Sequence, residues 1–524
     1  MMRWHRLAAK GRLLMLGGLI ALASPATGDN ASRIVIVSST SYDTLDPHIV
    51  LDTSRAGVRL NFYDALYRWQ DGPVRISPWL AQSYTLSEDG KVYRFTLRKG
   101  ARFHDGTDVK AADVVYSVER ILALKRGVAP LLQGLVNPGS TKVIDTSTIE
   151  FSLSRPSPMF LTLLPEVHIV NSQVLKANEV NNDWGRAWLA RNEAGSGAYA
   201  LKSYDPTTGV IARRVADHWN EAWSKKPVEE VEWRTMLDSE AGIEALVKGD
   251  IQVLDADLLP HQKKRLRETK ELVLDEDDGQ RIFVGLLNSG REALKQQDAR
   301  RALVQAFDYE TFIRSTLAPG AARAPLPLPL SFASPSAIAA ASGQKYDLEA
   351  ARAALAKIKA PLRDLTIGAI AGDAHSERAA LTLLDGMLKL GVPARIVAEP
   401  WPVVAGRMRD EKLMYDVLFL WHGARYLDAN NWVGEMYDCD LIGAGNSSWY
   451  CNKEIDRLIK EARATSDPKA RVAGFEKAAV RIAEDAAGIF VATARASIAH
   501  SRKLKGLRYM PAGEAIDLRN VSAE

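Results

Sequence analysis

The apolar pattern changes period several times along the chain, and each change predicts an element. Arg33 to Val37 reads RIVIV, a continuous β-branched run of the kind that forms a strand buried on both faces. It gives way to SSTSYDTLDPH, whose Ser, Asp and Pro predict a loop. Further on, Tyr93, Phe95 and Leu97 alternate with Arg94, Thr96 and Arg98, and Ile149, Phe151 and Leu153 repeat that alternation. Each set predicts a half-buried strand. Between them Val114, Val118, Ile121 and Leu122 recur at helical spacing, so residues 56–185 are expected to form an α+β insertion.

The second half alternates the two periods. Leu365–Ile370, Ala394–Ala398 and Tyr415–Trp421 predict strands, with helices over Glu377–Leu390 and Val403–Glu411 between them. This is a βαβαβ lobe with a largely parallel sheet, and ligands of such sheets sit beyond the carboxyl ends of the strands. Two loops fall at that edge, Ala371–His375 and His422–Asp428. Asp467-Pro468 predicts a capped helix burying Val472, Phe475, Ala479 and Ile482. Ala321 to Ser342, with APLPLPL, reads as an extended surface crossing.

The N-terminus alters the charge balance. Arg3, Arg6, Lys10 and Arg12 precede the apolar run Leu13–Ala23, too short for a bilayer but suited to a signal-peptide core, and Ala21-Leu22-Ala23 offers a small-x-small cleavage pattern. A leader over residues 1–23 is expected, and its removal takes the formal charge from +4 to zero. A neutral chain makes no electrostatic case for nucleic acid. No cysteine lies at the leader junction, so no lipid anchor is expected, and the chain is read as a free periplasmic protein.

At 524 residues the chain exceeds the size of one core, so at least two lobes are expected. The two cysteines, Cys439 and Cys451, either close a short disulfide loop in an oxidising compartment or are two separate buried thiols.

Catalytic signatures are sparse. There is no HExxH, no GxxxxGK[ST] and no GxSxG, and the nine histidines are scattered. Gly195-Ser196-Gly197 reads as a small-residue turn, and His104-Asp105-Gly106 as a turn whose side chains diverge. None of these patterns argues for catalysis, a metal or a cofactor, and a Ser–His–Asp triad, whose members meet only in space, stays open. Binding chemistry concentrates instead in DVLFLWHGARYLDANNW, Asp416 to Trp432, where an apolar strand runs into Trp421, His422, Gly423, Arg425 and Asp428. With Tyr42, after the first strand of the other lobe, these are the candidate ligand-binding residues.

The segment PWLAQSYTLSEDGKVYRFTLRKGARFHDGTDVKAADVVYSVERIL, Pro78 to Leu122, resembles the signature region of bacterial extracellular solute-binding proteins serving peptide, nickel and opine ABC importers. LDPH at Leu45, NFYDALYRW at Asn61, GSGAYAL at Gly195, DARRALVQAFDYETFI at Asp298 and SSWYCNKEIDRLIKEARATSDPKAR at Ser447 are similar to further family blocks. The cysteines around GNSSWYC make the chain most similar to dipeptide-binding members.

The resemblance implies a two-lobed α/β periplasmic-binding-protein fold, with residues 24–275 and 500–524 in lobe 1 and 276–499 in lobe 2. It also implies a monomeric, non-catalytic receptor that closes on a peptide or peptide-like solute and delivers it to membrane permease subunits. An opine, a sugar conjugate or a nickel complex is the alternative cargo. Peptide-binding relatives typically carry W-x-x-D-x-x-D-P, whose first acid holds the peptide ammonium; here Ala424 stands in that place, followed by Arg425, and the later Asp-Pro is Asp428-Ala429.

Overall fold

The computed structural model describes residues 32–38, 42–50, 55–69, 76–220, 222–277, 280–507, 509–510 and 515–524. The expected leader, 1–23, lies outside them.

Two large sheets define two lobes. The first has seven strands in the order Leu272–Asp277, Ala496–Ser501, Val253–Asp255, Arg33–Ser38, Glu230–Thr235, Gly209–Arg214 and Tyr199–Asp205. Arg33–Ser38 runs parallel to both of its neighbours. Its alternate residues feed two cores: Ile34 and Ile36 join Phe62 and Trp233 on one face, and Val35 and Val37 join Ile243 and Leu246 on the other. That two-sided burial is why RIVIV carries no polar alternation.

The second sheet has six strands, in the order Ala321–Arg323, Gly488–Ala494, Arg281–Leu287, Val417–Gly423, Leu365–Ile370 and Ala394–Glu399. Only the last three are mutually parallel. The sheet is therefore mixed, not largely parallel, because the strand that enters the lobe, Arg281–Leu287, and the strand that leaves it, Gly488–Ala494, pair antiparallel in the middle of it. The chain crosses between lobes after Asp277 and returns after Ala494, since Ala496–Ser501 already lies in the first sheet. Lobe 2 thus ends before the expected position 499.

The insertion carries a four-stranded antiparallel sheet, ordered Ala81–Leu86, Val92–Leu97, Thr148–Ser152 and Thr141–Val143. The helix Ala111–Leu124 buries Val114, Val118 and Ile121 in the same core as this sheet. The helix Ala56–Phe62 instead gives Val58 and Phe62 to the first lobe's own core.

In lobe 2, Asp467 caps Pro468–Glu484 by accepting from the Ala470 N–H at 2.7 Å, and Phe475, Ala479 and Ile482 are buried beneath it. The stretch after Ala321 is not a surface crossing. Leu326 and Leu328 of APLPLPL are buried in the lobe core, where alternate residues of an extended chain point inward.

Candidate functional site

Between the lobes lies a cavity of about 490 Å³, lined from both sides. The end of Val417–Gly423 borders it, where Trp421, His422 and Gly423 face the space together with Arg425.

Trp421 is held on three sides. The Arg281 guanidinium sits over its ring at 4.1 Å, Phe283 meets it edge-on at 5.0 Å, and its indole N–H donates to His375 Nδ1 at 3.1 Å. His375 Nε2–H donates in turn to the Leu258 carbonyl of lobe 1 at 3.3 Å, which fixes a neutral tautomer. Burial, with Arg281 and Lys263 adding to it, lowers the His375 pKa to about 4.

Arg281 also spans the lobes, pairing with Asp257 at 2.9 Å. Burial works against the Asp257 carboxylate, yet the Arg281 guanidinium holds it below the ordinary aspartate range. Beside it, Asp373 caps the helix Ala374–Lys389 by accepting from the His375 and Ser376 N–H groups. Burial first, and then the Asp257 charge, raise Asp373 to about 7. Ligating atoms of Asp257, Asp373 and His375 lie within 4.8 Å of one another, as a metal site would require. Both ring nitrogens of His375 are already engaged, so the cluster reads as a hydrogen-bonded seam between lobes.

The loop after Gly423 is tied to itself. Asn431 Nδ2 donates to the Gly423 carbonyl at 3.1 Å, its Oδ1 accepts from the Arg425 N–H at 3.2 Å, and its carbonyl accepts from His422 Nε2–H at 3.0 Å. Burial and the neighbouring Arg425 lower His422 to about 3, so it is a neutral donor. Arg425 pairs with Glu435 of the helix Gly434–Tyr437, whose Oε1 is buried without a hydrogen-bond partner among the described residues.

Two sequence candidates lie elsewhere. Asp428 makes a two-pronged ion pair with Arg471, at 2.7 and 3.0 Å, and caps the turn Ala429–Asn431. It does not line the cleft, because its carboxylate is consumed in fixing the loop. Tyr42 is 3% exposed in the lobe 1 core, where its carbonyl accepts from Tyr204. Ala424 is likewise buried, in the lobe 2 core. His104 and Asp105 do diverge: His104 bonds Glu193 and the Gly197 carbonyl, while Asp105 binds Thr107 and Asn171.

Cys439 and Cys451 are joined. The loop they close carries Gly443, Ala444, Gly445 and Ser447 into the cleft wall. Arg281, Asp257 and the lobe 1 cations Lys125 and Arg126 also line the cleft and were not legible as a group, since they come from three separate segments. Only the position of Ala371–His375 at a strand end pointed toward Asp373 and His375.

Two lobes joined by two strand crossings around a polar cleft are the architecture of a periplasmic binding protein. Solved structures share it: the Helicobacter pylori DppA complex with the peptide STSA has a TM-score of 0.83 at 23% identity, covering 94% of this chain and 98% of its own. The A. tumefaciens R10 protein AgaA, in complex with agropinic acid, has a TM-score of 0.81 at 24% identity, covering 94% and 99%. Residues 75–443 match the bacterial extracellular solute-binding proteins, family 5, and the chain belongs to that family. Among relatives, the probable D,D-dipeptide-binding periplasmic protein DdpA of Escherichia coli K12 is 27% identical over 492 residues, 92% of each chain. The glutathione-binding protein GsiB of Salmonella typhimurium is 25% identical over 531 residues, 96% of each.

Proposed function

We propose that this protein is the periplasmic receptor of an ABC importer, released from a cleavable leader as a monomer, which encloses a peptide or peptide-like solute between its lobes and presents it to the permease subunits without altering it. The observation that carries this reading is the inter-lobe cavity. Its volume falls in the range of small-molecule sites, about 300–1,000 Å³, and its wall combines an aromatic face with a few fixed polar groups. The names of the relatives, which span D,D-dipeptides and glutathione, agree with a solute of that size.

Closure is a hinge motion of the two lobes about the crossings after Asp277 and Ala494. Its latch is the seam of Arg281 with Asp257 and His375 with the Leu258 carbonyl. Small-angle scattering on the secreted protein, with and without N-acylated dipeptides, should show a ligand-dependent decrease in radius of gyration, while mass spectrometry of the same mixtures shows the compounds intact. Steady turnover without a compact state would support a secreted enzyme on this fold instead.

A further inference from the structure

Resting on that receptor reading, we propose that the solute is acidic, and that one of its carboxylates is taken by Lys125 and Arg126 at the lobe 1 wall of the cleft. Six cationic and three anionic side chains line the cavity, so the balance favours an anion. Most of these charges already have partners: Arg281 holds Asp257, Arg55 holds Asp43, Arg425 holds Glu435, and Asp255 accepts from the Tyr509 hydroxyl. Lys125 and Arg126 differ. Neither side chain forms an ion pair or hydrogen bond with any described residue, and both face the cavity.

They are also carried on a stiff base. Lys125 ends the helix Ala111–Leu124 in the left-handed region, φ 51°, which turns the chain toward the cleft. Gly127, at φ +51°, lies so close to the preceding segment that a Cβ would stand 2.4 Å from the His48 carbonyl oxygen. The Val128 N–H donates to that same carbonyl at 3.2 Å. His48 is pinned in turn, accepting from Arg120 at Nδ1 at 2.9 Å and donating from Nε2 to the His168 carbonyl at 2.8 Å. Arg120 is itself paired with Asp46, both side chains fully buried. A buried charged network of this kind is costly, and its effect here is to fix the path of a turn that presents to the cleft two cations with no side-chain partner among the described residues. Two adjacent cations, one with a guanidinium fork, suit a carboxylate.

The test is calorimetry on the secreted protein with three probes of one shape: N-acetyl-Ala-Glu, a dianion; N-acetyl-Ala-Gln, a monoanion; and N-acetyl-Ala-Gln amide, which is neutral. Affinity should fall about tenfold at each loss of charge, the scale of one charge-assisted hydrogen bond. Lys125→Gln with Arg126→Gln should compress at least one of those steps, and Arg126→Lys, which keeps the charge without the fork, should compress it less. If all three probes bind alike, or the double variant keeps both steps, the anion subsite is wrong while the receptor reading stands. A double variant that lowers the unfolding temperature and keeps both steps would assign the pair to the helix end alone and overturn the proposal. If no probe binds or compacts the protein, the peptide-like reading fails and this proposal with it.

Discussion

The indole N–H of Trp421 donates to Nδ1 of His375, 46 residues earlier in the chain, at 3.1 Å. The bond joins the cleft-lining strand to the helix that begins at Ala374, and the other ring nitrogen carries the connection to lobe 1 at Leu258. His375→Leu removes an acceptor and a donor from buried surroundings, so the expected cost is about 2 kcal/mol in urea unfolding. Closure should weaken as well, seen as a larger radius of gyration with ligand present. An unchanged unfolding midpoint would mean that the bond contributes nothing.

The acid limb of the stability curve follows from four buried imidazoles. Burial, aided by Arg120 at His48, by Arg59 at His168, by Arg281 at His375 and by Arg425 at His422, lowers these groups to about 4, 3, 4 and 3. Each stays neutral in the folded chain while the unfolded chain takes up a proton below about pH 6.5, so stability falls as pH drops from about 6.5 toward 4, by up to about 1.4 kcal/mol per unit per group. Asp373 acts in the opposite sense. Raised to about 7, it binds its proton in the folded chain first, and so favours folding at the acid end of the interval between about 4 and 7. Asp373→Asn keeps a capping oxygen and removes that compensation. Urea titrations at pH 5 and pH 7 should show a steeper acid loss in the variant than in the parent; a shallower one would reverse the assignment.

Periodicity exposed the lobe 2 strand Leu365–Ile370 with both of its ends, and the capped helix at Pro468, because in each the burial pattern is local. It did not reveal that Arg281–Leu287 and Gly488–Ala494 interrupt the parallel order, since all of RIFVGLL is buried and a continuous apolar run carries no direction. The site divides in the same way. Trp421, His422, Gly423 and Arg425 share one strand end and were legible as a group; Asp257, Arg281 and Lys125 meet them only through the lobe crossings. Asp428 shows the limit of adjacency: it lies three residues from Arg425, yet its carboxylate belongs to Arg471.

The disulfide should matter for binding as well as stability. Cys439 and Cys451 close a loop of sequence separation 12 that places Gly443 to Ser447 in the cleft wall. The chain-entropy model assigns such a closure roughly 3 kcal/mol. Cys439→Ser with Cys451→Ser should lower the unfolding free energy by about that amount and accelerate proteolysis within residues 440–450. Non-reducing peptide mapping of the parent should recover the two cysteines as one linked species, and readily alkylated thiols would count against it.

The Asp428–Arg471 pair withdraws the loop's acid from the proposed ligand. In the resembling peptide receptors an acid near the tryptophan holds the ligand ammonium, and Asp428 is the only acid in the loop after Trp421. Here both of its oxygens are engaged by Arg471, and Arg471 Nη1 also donates to the Ala462 and Arg463 carbonyls, so the pair clamps the loop to the start of Pro468–Glu484. Breaking a buried pair by removing one partner typically costs about 3–5 kcal/mol, because the other charge is left uncompensated. Asp428→Asn should therefore destabilise the fold toward the lower end of that range. The ratio of affinities for free and N-acetylated Ala-Gln should stay where it is, on the side of the acetylated form, since no ammonium contact has been lost. A selective loss of free-amine binding in Asp428→Asn, with the acetylated form unaffected, would show that Asp428 leaves Arg471 to meet the ligand, and would return the protein to the ordinary peptide-receptor pattern.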